Sequence, residues 1–394
     1  MRGRLLLNAA AIGFVTAVLT VAACGDTEPS VELSILTGNG DGTFSPRISY
    51  GTGSGDSTSL AVADFNGDGR LDLAITGYDS SCCYLRVLLG NGDGTFTTKN
   101  VYTHESGGWV VVAGDFDGDG RSDLVIVDAT NVVSFFHGLG DGTFAAPIDS
   151  GNERGANGDS MSAVVGDLNL DGKPDIAFTG LGLPAVLFLG QGDGTFQSSS
   201  MMEESPLVVS LAIADLNGDG KPDLVLGGLF GASAAASPAF VQLGNGDGTF
   251  QAGASVGKDD GAFAAVVGDF RLGTPAAIVY KEGGTVGVLQ GSGDGTFPTQ
   301  ARYMTDQELD NSALEFVDVN DDGVLDVVAP NDEAGVVVLL GNSDGTLQSA
   351  QVSRDASLAN GTIANCTMKV PLSVVAGDWD ADGTLDLAVA RGVF

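Results

Sequence analysis

The chain has 394 residues, with 51 acidic and 17 basic side chains and a formal net charge of −34. This acidic excess argues against a nucleic-acid partner, because affinity for nucleic acid rests on Lys and Arg that neutralise phosphates. Hydrophobic residues make up 43% of the chain, too many for an acidic disordered protein, and 60 glycines indicate many turns. The composition therefore predicts a folded protein of short strands.

Residues 1–23 have the layout of a secretory signal peptide, with two arginines, an apolar stretch and then small residues. The tetrad Val21-Ala22-Ala23-Cys24 resembles the lipobox of bacterial lipoproteins, in which the cysteine is lipidated and becomes the mature N-terminus. An uncleaved membrane anchor is the alternative, since the apolar stretch is nearly long enough to span a bilayer. We expect an exported protein, lipid-anchored to a bacterial cell membrane through Cys24, periplasmic or at the cell surface, with residues 24–30 as a polar tether.

Two motifs then alternate along the chain. An acidic string such as "DFNGDGRLD" begins at Asp64, Asp115, Asp167, Asp215, Asp269, Asp318 and Asp378. A second string, "GNGDGTF" and its variants, begins at Gly38, Gly90, Gly138, Gly190, Gly244, Gly291 and Gly341. Apolar, β-branched runs flank both motifs, which predicts four short strands in each unit. The second motif is interpreted as a hairpin turn rather than a ligand site, because Asn-Gly and Asp-Gly tolerate positive φ.

Seven four-stranded units predict a seven-bladed β-propeller over residues 31–394. A solenoid is the alternative, and the chain ends argue against it. Residues 31–50 supply only the third and fourth strands of a unit, whereas residues 372–394 supply only the first and second. Together they complete one blade, while an open stack would leave unpaired strand edges. We therefore expect a ring closed between the two ends of the chain.

The acidic loops have the pattern of a calcium site, with oxygen side chains at positions 1, 3, 5 and 9 and a glycine at position 6. Hard oxygen ligands without His or Cys favour Ca²⁺, and the backbone carbonyl of position 7 is expected to add a ligand. Without a cation, like charges at about 4 Å would cost about 4 kcal/mol at an effective dielectric near 20. Six loops carry the full set, which predicts about six structural Ca²⁺ sites. Their ligands are Asp64, Asn66, Asp68, Arg70 and Asp72; Asp115, Asp117, Asp119, Arg121 and Asp123; Asp167, Asn169, Asp171, Lys173 and Asp175; Asp215, Asn217, Asp219, Lys221 and Asp223; Asp318, Asn320, Asp322, Val324 and Asp326; and Asp378, Asp380, Asp382, Thr384 and Asp386.

The fifth acidic loop departs from this pattern. It keeps Asp269 but has Arg271, Gly273 and Ala277 where the other ligands belong, so we expect no metal there and an ion pair of Arg271 with Asp269 instead. Position 2 of each loop is apolar, and these residues are interpreted as packing anchors between blades: Phe65, Phe116, Leu168, Leu216, Phe270, Val319 and Trp379.

Repeats of the form "VAxGDFNGDGxxDLxV…VLLGNGDGTF" resemble the FG-GAP/VCBS family, whose propeller is shared with integrin α-subunits. The resemblance covers nearly all of residues 31–394 and implies a seven-bladed propeller with Ca²⁺ in the loops between the first and second strands. The family includes adhesion receptors, lectins and non-catalytic modules of polysaccharide-degrading enzymes. Fold alone does not choose among these functions.

Variable loops on the face opposite the acidic loops are expected to hold a ligand site, because function in propellers concentrates in such loops. They contain Tyr78, Trp109, Arg154, Phe230 and Tyr303. These residues are interpreted first as ordinary residues of solvated loops, with sugar binding as the alternative. We expect a monomeric binding or adhesion module for an extracellular glycan or protein, with the membrane reached only through the lipid anchor. A polysaccharide-active enzyme and a non-catalytic scaffold are the alternatives.

Catalysis is not expected, because the sequence shows no nucleophile–histidine or zinc constellation. The two histidines, His104 and His137, are interpreted as a connector residue and a structural residue of a third strand. Export permits disulfides, and a bridge from Cys366 to Cys82 or Cys83 is the hypothesis for the remaining cysteines.

Overall fold

The computed structural model describes residues 30–45, 48–54, 56–78, 83–104, 110–128, 132–150, 160–180, 185–201, 210–227, 239–258, 264–305, 309, 313–331, 335–354 and 369–393. These residues form seven sheets of four antiparallel strands each, arranged as the blades of a β-propeller. Within this part of the chain there is no helix, and accordingly none long and apolar enough to cross a membrane. The predicted fold class is confirmed.

The blades are numbered here in chain order. Blade 1 contains β3(Asp56–Ala63), β4(Asp72–Tyr78), β5(Cys83–Gly90) and β6(Phe96–His104). Blade 2 contains β7(Val110–Gly114), β8(Asp123–Val127), β9(Val133–Phe136) and β10(Ile148–Ser150). Blade 3 contains β11(Ser160–Gly166), β12(Asp175–Gly180), β13(Val186–Gly190) and β14(Phe196–Met201). Blade 4 contains β15(Ser210–Ala214), β16(Asp223–Gly227), β17(Ala239–Gln242) and β18(Ala254–Val256).

Blade 5 contains β19(Ala264–Gly268), β20(Ala277–Glu282), β21(Thr285–Gln290) and β22(Thr299–Met304). Blade 6 contains β23(Glu315–Val317), β24(Asp326–Asn331), β25(Gly335–Leu339) and β26(Gln351–Arg354). Blade 7 combines both ends of the chain: β27(Lys369–Gly377), β28(Asp386–Val393), β1(Ser30–Leu36) and β2(Ile48–Ser54).

Blade 7 closes the ring as expected from the half-units at the two ends of the sequence. Its strand order is β2-β1-β28-β27, so the N-terminal β1 pairs antiparallel with the C-terminal β28. The register joins Glu32 to Arg391 and Leu36 to Leu387. The seam between the chain ends therefore lies inside a hydrogen-bonded sheet.

The core lies between the faces of neighbouring blades. Successive residues of a strand point to opposite faces of its sheet, and in β3 Leu60 packs in a cluster with Trp379 of blade 7, whereas Ala61 packs with Val111 of blade 2. Both faces of the inner strands are thus buried. This explains why these strands read as continuous apolar runs rather than as an alternation.

Serine hydroxyls also join the inner strands of neighbouring blades. The N–H of Val111 donates to Ser59 Oγ at 3.1 Å, and the N–H of Ala265 donates to Ser210 Oγ at 3.0 Å. Leu211 and Ser162 form the same bond at 3.2 Å. Each bond satisfies a buried backbone donor across a blade boundary.

Candidate metal-binding loops

Each acidic loop joins the first and second strands of a blade, and each "GNGDGTF"-type turn joins the third and fourth. Because consecutive strands are antiparallel, both connections lie on one face of the propeller. The second strands end, and the third strands begin, on the opposite face. The loops therefore have the placement that the sequence predicts.

The first carboxylate of each loop organises the loop backbone. In blade 1, Asp64 Oδ1 accepts the N–H of Gly67 at 2.7 Å, and Oδ2 accepts that of Gly69 at 2.7 Å. The next oxygens act locally: Asn66 Oδ1 accepts the N–H of Asp68, and Asp68 Oδ1 accepts that of Arg70, each at 2.9 Å. Side-chain oxygens that bond the backbone a few residues ahead curl the chain tightly. The φ of 83° at Gly69 shows why position 6 is a glycine.

The carboxylate at position 9 has a structural role that sequence reasoning missed. Asp72 is fully buried; its Oδ2 accepts the N–H of Phe65 at 2.8 Å and its Oδ1 accepts that of Gly90 at 2.8 Å. The acid therefore ties the acidic loop to the turn that follows the third strand. The same buried carboxylate with the same two kinds of bond recurs in five other blades, at Asp123, Asp175, Asp223, Asp326 and Asp386.

Burial perturbs these acids. Desolvation raises the pKa of Asp72 to about 6, although the two N–H donors lower it, and the nearby carboxylates of Asp64 and Asp68 raise it further. Burial likewise raises the pKa of four others to about 6, namely Asp123, Asp175, Asp326 and Asp386, and raises that of Asp223. Without a nearby cation, ionising these groups is unfavourable.

Several acidic clusters could hold a metal ion. In blade 2 one carboxylate oxygen from each of Asp115, Asp117 and Asp119 lies within 4.8 Å of the other two. In blade 7 the same holds for Asp378, Asp380 and Asp386. Asp378 Oδ1 is buried and has no hydrogen-bond partner in the described part of the chain. A buried, unpartnered carboxylate oxygen is costly unless a cation satisfies it, so the residues present fit a metal ion.

Basic side chains at position 7 lie beside the acids at position 5. The distances from the basic nitrogen to the Oδ2 of that acid are 3.8 Å for Arg70, 3.4 Å for Arg121, 4.0 Å for Lys173 and 3.5 Å for Lys221. These pairs are well exposed, so each stabilises the fold little. They offset part of the charge of the loops.

The fifth loop lacks the acidic arrangement, as its sequence indicates, but the expected ion pair was wrong. Arg271 is exposed, and no ion pair links it to Asp269 within the described ranges. Burial raises the pKa of Asp269, while the Gly273 N–H lowers it. Ala277 replaces the buried acid, and the N–H of Gly291 donates instead to the carbonyl of Ala276 at 3.1 Å. A backbone acceptor thus takes over part of the task of the missing carboxylate.

The apolar residues at position 2 all lie buried, and those of blades 1, 2, 3, 4, 5 and 7 contact the following blade. Phe65 packs edge-on against Phe144 with ring centroids 5.5 Å apart, and Phe116 packs in the same way against Phe196 at 5.7 Å. The carbonyl of Phe65 also accepts the N–H of Gly142 at 3.0 Å. Equivalent bonds reach the carbonyls of Phe116, Leu168, Leu216 and Trp379 from Gly194, Gly248, Gly295 and Gly94. In these five blades the acidic loop is therefore fixed to the turn of the next blade.

His137 lies at an acidic loop, contrary to its placement within a strand. It follows β9 directly, and its Nδ1 is 2.7 Å from Asp117 Oδ2 and 3.7 Å from Asp123 Oδ1. The side chain is 31% exposed. The sequence signal was the position itself, because the next residue, Gly138, donates its N–H to the buried Asp123 that ends the acidic loop.

Other predicted residues fall outside what the structure describes. Cys24, Cys82 and Cys366, and with them the lipid anchor and the disulfide hypothesis, lie there, as do Trp109, Arg154 and Phe230. Tyr303 is half-buried on β22. On the face of the acidic loops, a cleft of about 310 Å³ lies between blades 7 and 1, lined by Arg70, Asp378, Trp379 and Asp382 among others.

The fold and the repeated loops define an FG-GAP-type β-propeller. The chain belongs to the FG-GAP-like repeat family, whose model matches residues 19–75, 64–126, 115–178, 182–226 and 318–389. No curated protein sequence matches the chain.

Solved structures share the fold. One is an Agrocybe aegerita lectin that specifically recognises non-reducing terminal N-acetylglucosamine; it is 18% identical, with a TM-score of 0.63 over 96% of this chain and 99% of that one. Another is BBS1N in complex with ARL6DN, 10% identical, with a TM-score of 0.55 over 92% of this chain and 97% of that one.

Proposed function

We propose that this protein is an exported, lipid-anchored binding module whose propeller is stabilised by calcium and whose ligand is an extracellular glycan. The observation that carries the glycan is the similarity, over almost the whole of both chains, to a lectin specific for terminal N-acetylglucosamine. A lectin and this chain would share a scaffold in which the loops, and not the strands, determine the specificity for a sugar. The export signal and Cys24 would place the module outside the cytoplasm.

The cation is proposed to be calcium because the six acidic loops offer carboxylate, amide and carbonyl oxygens. Bound Ca²⁺ would neutralise three or four clustered carboxylates in each loop. The residues at positions 1, 3, 5 and 9 would hold it, together with the carbonyl at position 7. Since five of the six loops also bond the turn of the next blade, for example through the Gly142 N–H and the Phe65 carbonyl, ordering such a loop would strengthen a blade boundary.

The expected stabilisation is large. Free Ca²⁺ at ten times a millimolar-range dissociation constant would add about 1.4 kcal/mol for each site. Six independent sites would then add roughly 8 kcal/mol, which is comparable with the whole net stability of a domain. We expect a large fall in melting temperature on chelation, with calcium restoring it. An unchanged melting temperature would reject calcium as a structural element.

The ligand is tested on a glycan array with the purified protein, once with Ca²⁺ and once with chelator. Binding to glycans that end in N-acetylglucosamine or another defined sugar, lost on chelation, is the expected result. The matched control is a chain unfolded by heat before application. If a sample shown to be folded by circular dichroism binds no glycan with Ca²⁺ or with chelator, the glycan proposal is overturned.

A protein ligand is the second candidate, because a structure that shares the fold is that of BBS1N in complex with ARL6DN. The same array printed with extracellular matrix proteins separates the two candidates. Binding to proteins stripped of their glycans would favour a protein partner over a sugar.

A further inference from the structure

We propose that blade 2 carries a metal site of a different kind, in which His137, Asp117 and Asp123 bind a borderline transition-metal ion such as Zn²⁺. The proposal goes beyond calcium binding, because Ca²⁺ takes oxygen ligands and an imidazole nitrogen suits Zn²⁺ and its neighbours. It gives the calcium loop of blade 2 a second possible ion, for which the other loops lack an imidazole ligand.

The three side chains meet although they come from different parts of the blade. Asp117 is at the third position of the loop, Asp123 begins β8, and His137 follows β9. The Nδ1 of His137 and one oxygen of each acid all lie within 4.8 Å of one another. The Ala145 N–H, which donates to the His137 carbonyl at 2.9 Å, helps fix the backbone from which the imidazole projects.

Comparison with the other blades shows what is particular to blade 2. At the position of His137 the other blades carry Leu89, Leu189, Leu243, Gln290, Leu340 and Thr37. At the position of Asp117 blades 1, 3, 4 and 6 carry an asparagine. Blade 2 thus replaces a neutral amide with a carboxylate and an aliphatic side chain with an imidazole at the same loop. Blade 7 has the carboxylate, Asp380, without the imidazole.

The distances suit a small metal ion. Zinc–nitrogen and zinc–oxygen bonds are about 2.1 Å, so neighbouring ligand atoms of a tetrahedral site lie about 3.4 Å apart. The 3.7 Å from Nδ1 to Asp123 Oδ1 is close to that value. The 2.7 Å from Nδ1 to Asp117 Oδ2 is a hydrogen bond, which the ion would replace as these two atoms move apart. His137 and Asp117 are 31% and 17% exposed, which leaves room to adjust and lets water complete the coordination.

Asp123 can bind the metal without losing its backbone hydrogen bonds, whereas His137 and Asp117 would exchange their mutual hydrogen bond for bonds to the ion. Asp123 Oδ1 accepts one N–H, from Gly138 at 2.7 Å, and a carboxylate oxygen has two acceptor directions. On metal binding Nδ1 gives up any proton it holds, and the neutral imidazole carries its single proton on Nε2.

Zinc binding is tested by calorimetry on the full chain, made without a polyhistidine tag and saturated with Ca²⁺. One Zn²⁺ equivalent is expected, with release of calcium from one site if the two ions share the loop. His137→Leu, which installs the residue of blades 1, 3, 4 and 6, should weaken zinc binding at least about tenfold. His104→Leu is the matched control and should leave it unchanged. Zinc affinity unaltered in His137→Leu would overturn the proposal, as would the absence of any zinc equivalent.

A second variant tests whether the same zinc site can be created in blade 7. Thr37 of blade 7 has the same backbone bond as His137 of blade 2: its carbonyl accepts the Ser45 N–H at 2.8 Å, and the His137 carbonyl accepts the Ala145 N–H. Blade 7 also contains a cluster of three acids, Asp378, Asp380 and Asp386. Thr37→His should therefore create a second zinc equivalent, whose Co²⁺ derivative absorbs in the visible range. A folded Thr37→His chain with no second equivalent would count against this geometry. Failure of calcium stabilisation would instead appear in the melting experiment, so the two proposals fail separately.

Discussion

The buried aspartate that begins the second strand of six blades works as a junction between loop and turn. In blade 3, Asp175 accepts N–H groups from Leu168 at 2.9 Å, Asn169 at 3.2 Å and Gly190 at 2.9 Å. Asp175→Asn keeps the shape but turns an amide NH₂ toward these donors. We expect a loss of about 2 kcal/mol in the free energy of unfolding, because at least one buried N–H loses its acceptor.

Asp171→Asn is the control for that variant, since Asp171 is exposed and bonds the Lys173 N–H at 3.0 Å through an oxygen that Asn retains. It should cost well under about 1 kcal/mol without metal. Urea unfolding in chelator measures both variants. Equal losses would show that the ninth position has no structural role of its own.

The raised pKa values of the buried carboxyls predict an unusual pH dependence for the metal-free protein. Burial raises the pKa of Asp72, Asp123 and Asp326 to about 6. Folding therefore favours the protonated acids, and their contribution to stability is complete below their ordinary pKa and is lost as pH rises through about 6. The net charge of −34 acts in the same direction, because protonation reduces repulsion.

In chelator the melting temperature should accordingly rise when the pH falls from about 7 to 5. With Ca²⁺ the sign should reverse, because a bound cation favours the ionised acids and protons compete with it. Melting curves across this pH range, with and without calcium, make the comparison. A metal-free protein that loses stability on mild acidification would contradict the burial argument.

At the contacts between neighbouring inner strands, two buried serines in the described part of the chain can be compared, one whose hydroxyl is hydrogen-bonded and one whose hydroxyl is not. Ser210 Oγ accepts the Ala265 N–H at 3.0 Å, whereas the buried Ser373 Oγ has no partner among the described residues. Ser210→Ala leaves a buried N–H unpaired and should cost about 1–3 kcal/mol. Ser373→Ala removes an unsatisfied hydroxyl and should be neutral or stabilising. Chemical denaturation separates the two; equal costs would mean that the serines act only by size.

The sequence predicted the strands and loops well because the same strand, turn and loop patterns recur in seven units. Apolar β-branched runs, glycine-bounded turns and the two half-units led to the strands, the acidic loops and the closed blade. The contacts between repeats were not predictable in this way. The bond from Gly142 to the Phe65 carbonyl joins residues of different blades, and no local pattern marks it.

Two site residues show the same limit. Asp72 has the spacing of a metal ligand, and only the structure shows that both of its oxygens bond backbone N–H groups. His137 is 20 residues from Asp117 along the chain, so their contact depends on the pairing of three strands. The acidic loop and the turn after the third strand are separate motifs in the sequence, and only the folded blade places them side by side.

For the whole molecule, ring closure depends on a non-covalent seam between the chain ends. Leu33 of β1 is fully buried in blade 7, and Leu85 occupies the same position of blade 1 with 1% exposure. Leu85 lies in a blade formed by one continuous segment, whereas Leu33 pairs with Ala390 of the opposite chain end. Substituting the two leucines therefore allows the stability of the blade that joins the chain ends to be compared with that of a blade formed by one segment.

If the seam is packed as firmly as the other blades, Leu33→Ala and Leu85→Ala should each cost about 2–5 kcal/mol, with nearly equal losses. Both variants remove the same atoms from a buried site, so a difference would report the local freedom of the chain end. Unfolding by guanidinium, monitored by tryptophan fluorescence, gives the two free energies. A much smaller loss for Leu33→Ala would mean that β1 detaches before the ring unfolds and that closure contributes little to the stability of the propeller.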